Sequence, residues 1–153
     1  MEGDKLIVCY GNPMRGDDGV GLEVGRLLAH SLAGRDDVHV VLAHQLDVTI
    51  AAELAEASTA VFVDAQQVDQ AGAATTGPMI TPVTGSASEA LRANVHAVTP
   101  DDLVALARRL YGRAAESYLV AVPAFEMEHA ETLTRSAVEA ARQAEAAVLE
   151  LLG

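Results

Sequence analysis

Apolar and polar positions alternate in blocks along the chain. Residues 5–11 (KLIVCYG) form a short apolar run closed by glycine, the pattern of a buried strand. Residues 20–33 carry helical spacing, with Val20, Val24, Leu27, Leu28 and Leu32 on one side and Gly34 just beyond. Asp17 or Asp18 is placed to cap that helix. A second strand is predicted at residues 38–43, a short helix opened by Asp47 at 47–57, and a third strand at 60–63 that stops at Asp64. Residues 66–78 are rich in Gln, Gly, Ala and Thr and read as a loop, and 79–83 as a short fourth strand. Thr99-Pro100-Asp101-Asp102 has the cap, the first-turn proline and the carboxylate of a helix start, so a helix is predicted from there to Tyr111, with Gly112 as its stop. A last strand follows at 118–122. A final helix at 134–152 carries Val138, Ala141, Ala144, Val148 and Leu152 along one stripe.

Strands and helices alternate, and the strands are short and apolar. That pattern predicts an α/β chain, a three-layer α/β/α sandwich on a mostly parallel sheet of about five strands. No repeat and no long linker divides the chain, so residues 1–153 are read as a single domain.

Composition adds limits. The apolar fraction is 50% but aromatics are only 3%, so the core must be built from Ala, Val and Leu. The net charge of −12 would repel a phosphate backbone or an anionic bilayer, which argues against nucleic acid and membrane partners. Cys9 is the single cysteine, so no internal disulfide is possible. The first apolar run is too short for a signal peptide, and no stretch approaches the roughly 18 apolar residues of a membrane span. The expectation is a soluble cytoplasmic protein.

In a parallel α/β sheet, sites form beyond the carboxyl ends of the strands. The first strand is followed by Gly11-Asn12-Pro13-Met14-Arg15-Gly16-Asp17-Asp18-Gly19-Val20-Gly21. The third is followed by Asp64, and His96 comes after the fourth, three residues before Thr99. Each has an ordinary explanation when taken alone: an acid at a helix start is commonly a cap, and a lone loop histidine is commonly incidental. Together, an aspartate of the Asp17-Asp18 pair, Asp64 and His96 would converge on one sheet edge, and two carboxylates with an imidazole suit a divalent metal with open positions.

Receiver domains of bacterial signalling share this outline, with acids after the first and third strands. They also need a lysine after the fifth. Here that strand runs into Pro123 and Ala124, and Lys5 is the only lysine beside nine arginines. Arginine replaces a point-charge lysine poorly. Gly-x-Ser-x-Gly, Gly-x-x-x-x-Gly-Lys and His-Glu-x-x-His are absent. Cys9 sits mid-strand, where a buried thiol is inert. Glu126-Met127-Glu128-His129 lacks metal-site spacing and reads as surface loop.

The segment from Gly11 to Gly21 resembles the N-terminal signature of the nickel–iron hydrogenase maturation proteases. Val63-Asp64-Ala65 resembles their second acidic motif. His96 with Thr99-Pro100-Asp101-Asp102-Leu103 and Leu110-Tyr111-Gly112 resembles their histidine segment, and Phe125-Glu126 with Glu131-Thr132-Leu133-Thr134 the loop before their last helix. The resemblance spans nearly the whole chain, and the first motif is the most specific. One departure is His44-Gln45-Leu46-Asp47, where some relatives carry a glycine-containing acidic box linked to partner recognition.

The resemblance implies an endopeptidase that removes the C-terminal extension of a hydrogenase large-subunit precursor after nickel insertion. It implies Asp18, Asp64 and His96 as the residues that contact the substrate's nickel, Asp17 as a supporting acid, no permanent cofactor, and a monomer. The alternative from another class is a chaperone that senses the loaded metal without cutting.

Overall fold

The structure is a computed structural model that describes residues 3–68, 77–86, 98–128 and 130–153. Strand β1 is Lys5–Tyr10, followed by a 3-10 turn at Gly16–Gly19 and helix α1 at Val20–Ser31. Then come β2 at Val38–Ala43, α2 at Ile50–Glu56, β3 at Thr59–Gln67 and β4 at Met79–Val83. Helix α3 is Pro100–Tyr111, β5 is Glu116–Ala124 and α4 is Arg135–Leu152.

The five strands form one sheet in the order β2-β1-β3-β5-β4. All neighbours are parallel except β4, which runs antiparallel to β5. Successive strand side chains point to opposite faces, and this divides the core in two. Ile7, Cys9, Val61, Val63, Val120 and Val122 turn toward α1 and α4. Leu6, Val8, Ala60 and Phe62 turn toward α2 and α3. Helices therefore cover both faces, as the alternation of elements predicted.

Packing explains why a core so poor in aromatics holds. Alanines at 137, 140, 141 and 144 let α4 lie close to the sheet and to α1, and all four are buried. Phe62, fully buried, fills the opposite layer together with Leu54 and Leu103. Each such side chain contributes about 2–3 kcal/mol of burial.

Several expected element ends move. Neither Asp17 nor Asp18 caps α1; the cap position is Gly19, with no side-chain cap bond. Helix α2 begins three residues after Asp47, because Asp47 accepts from Thr49 N–H (2.8 Å) and from the Thr49 hydroxyl in a turn of its own. Strand β3 continues beyond Val63 through Gln67, since its pairing with β5 persists to Gln67↔Ala124. The apolar pattern stopped early because the sheet runs out from under the helices there. The loop expected at 66–78 falls largely outside the described residues, with Gln66 and Gln67 in β3. The start of α3 is as read. Thr99 Oγ1 accepts from Asp102 N–H at 3.1 Å, Asp102 Oδ2 accepts from Thr99 N–H at 2.9 Å, and Gly112 closes the helix at φ 81°.

Candidate functional site

The chain leaves β1 for β2 on one side and returns to place β3 on the other. Helices α1 and α2 thus depart to opposite faces, and a crevice opens beyond the carboxyl end of β1, beside Asp64 of β3. A cavity of about 560 Å³ occupies that place. Its lining comes from Tyr10 and Gly11 at the end of β1, Asp18 in the 3-10 turn, Asp64 in β3, residues 44–48 after β2, and residues 98–100 at the start of α3.

Close backbone approach shapes the crevice. A Cβ on Gly11 would run into the Asp18 carbonyl oxygen, so only glycine lets the 3-10 turn fold down over the strand end. A Cβ on Gly21 would meet the Tyr10 carbonyl oxygen, and the Val63 carbonyl lies just beyond, so the first turn of α1 rests on the ends of both strands. Two glycines of the first motif are thereby accounted for by geometry.

The consecutive acids in that motif part ways. Asp17 is fully buried. Its Oδ1 accepts from Thr134 N–H at 2.8 Å. Its Oδ2 accepts from Phe125 N–H (2.9 Å), Glu126 N–H (3.0 Å) and Thr134 Oγ1–H (2.8 Å). The Asp17 N–H donates back to the Glu126 carbonyl at 2.7 Å. Asp17 therefore ties the turn to the segment between β5 and α4 and lies away from the cavity lining. Residues 126–128 are loop as expected, anchored through the Glu126 backbone; His129 lies outside the described residues.

Asp18 is half-buried, accepts from Asn12 N–H at 3.0 Å and lines the cavity. Asp64 lies inside β3, not just past its end. Its Oδ1 accepts from Ala65 N–H at 2.8 Å, and it also accepts from the Tyr10 hydroxyl. Burial, reinforced by the nearby Asp18 charge, pushes the Asp64 carboxyl up to about 6 against the two hydrogen bonds that pull it down. The Tyr10 phenol is pushed up by burial and by the Asp64 charge, so it stays a donor. Asp47, also in the lining, is held below its usual range by its bonds to Thr49.

The structure thus brings Asp18 and Asp64 to one cavity. The third expected residue, His96, lies outside the described residues; Val98 and Thr99, two and three positions later, line the cavity. Among the described residues no three His, Cys, Asp or Glu side chains are grouped to hold a metal ion, and no Lys or Arg lines the cavity. What is present is a pair of hard oxygen donors in an acidic crevice, a setting for a divalent cation or for general-base work on water. Lys5, the only lysine, stands at the start of β1 and is separated from this edge by roughly 16 Å of strand, so the lysine of the receiver arrangement is missing here.

Two lining groups were not singled out from the sequence. Tyr10 ended an apolar run and drew no notice. Residues 44–47 stand in the sequence as a departure from a motif, and Asp47 as a helix start. The strand-end rule that located Asp64, applied to β2 as well, would have found them.

Neither a protein-family model nor a curated protein sequence matches the chain. Solved structures do match in fold. One is the hydrogenase 2 maturation peptidase from Thaumarchaeota archaeon SCGC_AB-539-E09, at 22% identity and TM-score 0.69, covering 98% of each chain. Another is the NiFe hydrogenase maturation protease HycI from Thermococcus kodakarensis KOD1, at 18% identity and TM-score 0.70, covering 99% of this chain and 93% of that one. A third is the hydrogenase maturating endopeptidase HybD from E. coli, at 20% identity and TM-score 0.67, covering 97% and 91%.

Proposed function

We propose that this protein is a hydrogenase maturation endopeptidase that removes the C-terminal extension from a nickel-loaded large-subunit precursor. The observation that carries the reading is the convergence of Asp18 and Asp64 on one cavity at the switch point of a fold shared with proteins named as hydrogenase maturation peptidases. The motif order along the chain supports it, as does the lack of any helix, among the described residues, long and apolar enough to cross a membrane.

In this reading Asp18, Asp64 and His96 contact the nickel that the precursor brings. Among the described residues the cavity lining holds acids and no lysine or arginine, which favours a cationic centre on the partner over an anionic one. Asp64 is also the better placed general base. A carboxyl raised to about 6 is ionised at neutral pH, yet basic enough to take a proton from the attacking water. The same water then adds to the scissile carbonyl, and the proton passes to the leaving amine as the peptide bond breaks.

Incubation with a nickel-loaded precursor, followed by mass spectrometry of the large subunit, tests the proposal. Loss of a C-terminal peptide is expected, and a nickel-free precursor stays uncut. An unchanged mass with every hydrogenase of the source organism overturns the peptidase reading. A complex that persists through chromatography with the tail intact identifies the non-cutting chaperone instead.

A further inference from the structure

We propose that Tyr10 is a positioning residue for Asp64: its hydroxyl, with the Ala65 N–H, fixes the rotation of the Asp64 carboxylate so that one set edge faces the cavity. The inference rests on the peptidase reading and deepens it by one residue that acts through Asp64.

Strand geometry makes the pairing. In the parallel register Cys9 lies opposite Val63, which makes Tyr10 and Asp64 the next pair along. Leu6 and Val8 on β1, and Ala60 and Phe62 on β3, share the face covered by α2 and α3. By the two-residue period Tyr10 and Asp64 fall on that same face, where it leaves the helices and becomes cavity. The Tyr10 ring packs on the edge of that core layer, which holds the phenol while its oxygen reaches the carboxylate.

The terminal torsion of an aspartate is soft and roughly two-fold, so an unheld carboxylate turns freely. Asp64 is held from two sides, at Oδ1 by Ala65 N–H and by the Tyr10 hydroxyl. An ionised carboxylate has about four acceptor positions; those left after two donors define the edge that meets a metal or a water. Such preorganisation lowers the reorganisation needed in the transition state. A tyrosine that merely covered the core would aim its hydroxyl at solvent, and here it meets the half-buried Asp64 carboxylate.

Tyr10→Phe removes the hydroxyl and keeps the ring. Loss of a group that orients a ligating residue commonly costs about 10–100-fold. With the nickel-loaded precursor, kcat is expected to fall about tenfold while KM stays within about twofold, since one hydroxyl acting through Asp64 is a small part of a large partner's contacts. The melting temperature is expected to hold. Tyr118→Phe serves as the control, because its hydroxyl donates to Glu116 Oε1 at 2.7 Å on the surface. The proposal is overturned if kcat is unchanged, if KM rises alone, or if the fall in kcat is matched by a loss of melting temperature or shared by Tyr118→Phe. A wild-type enzyme that cuts no precursor overturns the peptidase reading itself, which separates the two failures.

Discussion

Asp17 and Asp18 are adjacent in the chain, acidic alike, and stand in the same four-residue turn. Asp17 is sealed from solvent and gives both oxygens to three backbone N–H groups and a hydroxyl of a segment more than 100 residues away. Asp18 is half-buried, rests on Asn12 N–H and turns toward the crevice. The tight turn causes the split, because consecutive side chains of a 3-10 turn point about a third of a revolution apart. One acid of the motif builds the wall, and its neighbour looks through it. A pair of acids in a signature therefore need not be a pair in the chemistry.

The contrast can be broken by substitution. Asp17→Ala leaves one buried and three part-buried donors without their acceptor and is expected to cost on the order of 4 kcal/mol of stability, read by denaturant unfolding. A loss below about 1 kcal/mol would put Asp17 on the functional side after all. Asp18→Ala is expected to do the reverse, cutting precursor cleavage about 10³-fold, or roughly 4 kcal/mol of transition-state stabilisation, with little change in melting temperature.

Asp64→Asn sharpens the comparison through pH. The Asp64 carboxyl is raised in the fold from 3.8 to about 6. Ionisation is thus easier in the unfolded chain, and the wild type carries a penalty that is absent below about pH 4 and complete above about pH 6. The asparagine variant is expected to melt higher than wild type at pH 7.5, by on the order of 2 kcal/mol, with the advantage fading as pH falls toward 4, while cleavage is lost. Wild-type cleavage should itself decline as pH drops through about 6. A variant that melts lower at pH 7.5 would contradict the burial of Asp64. The smallest effect is expected from Thr134→Ala. Thr134 Oγ1 caps α4 by accepting from Ala137 N–H (3.2 Å) while donating to Asp17; its loss should cost about 1–2 kcal/mol, with cleavage per folded molecule unchanged.

Sequence legibility followed the range of the interactions. The capping box at Thr99 was readable because all its partners lie within three residues. The end of β3 was not, because its last residues owe their conformation to Pro123 and Ala124 in β5. Asp18 and Asp64 were found by the rule that strands end at sites, and they share one cavity. Tyr10 escaped because nothing local marks a tyrosine whose partner is 54 positions away.

The amino-acid order alone determined the alternation of elements, the layered α/β class and the acids at the strand ends, since periodicity and turn chemistry are short-range. Only the tertiary structure decided the strand order, the opening of the crevice between β1 and β3, and the division of labour between Asp17 and Asp18. The reason is burial. An acid becomes a clamp or a cavity wall according to which distant backbone reaches it, and no local pattern encodes that meeting.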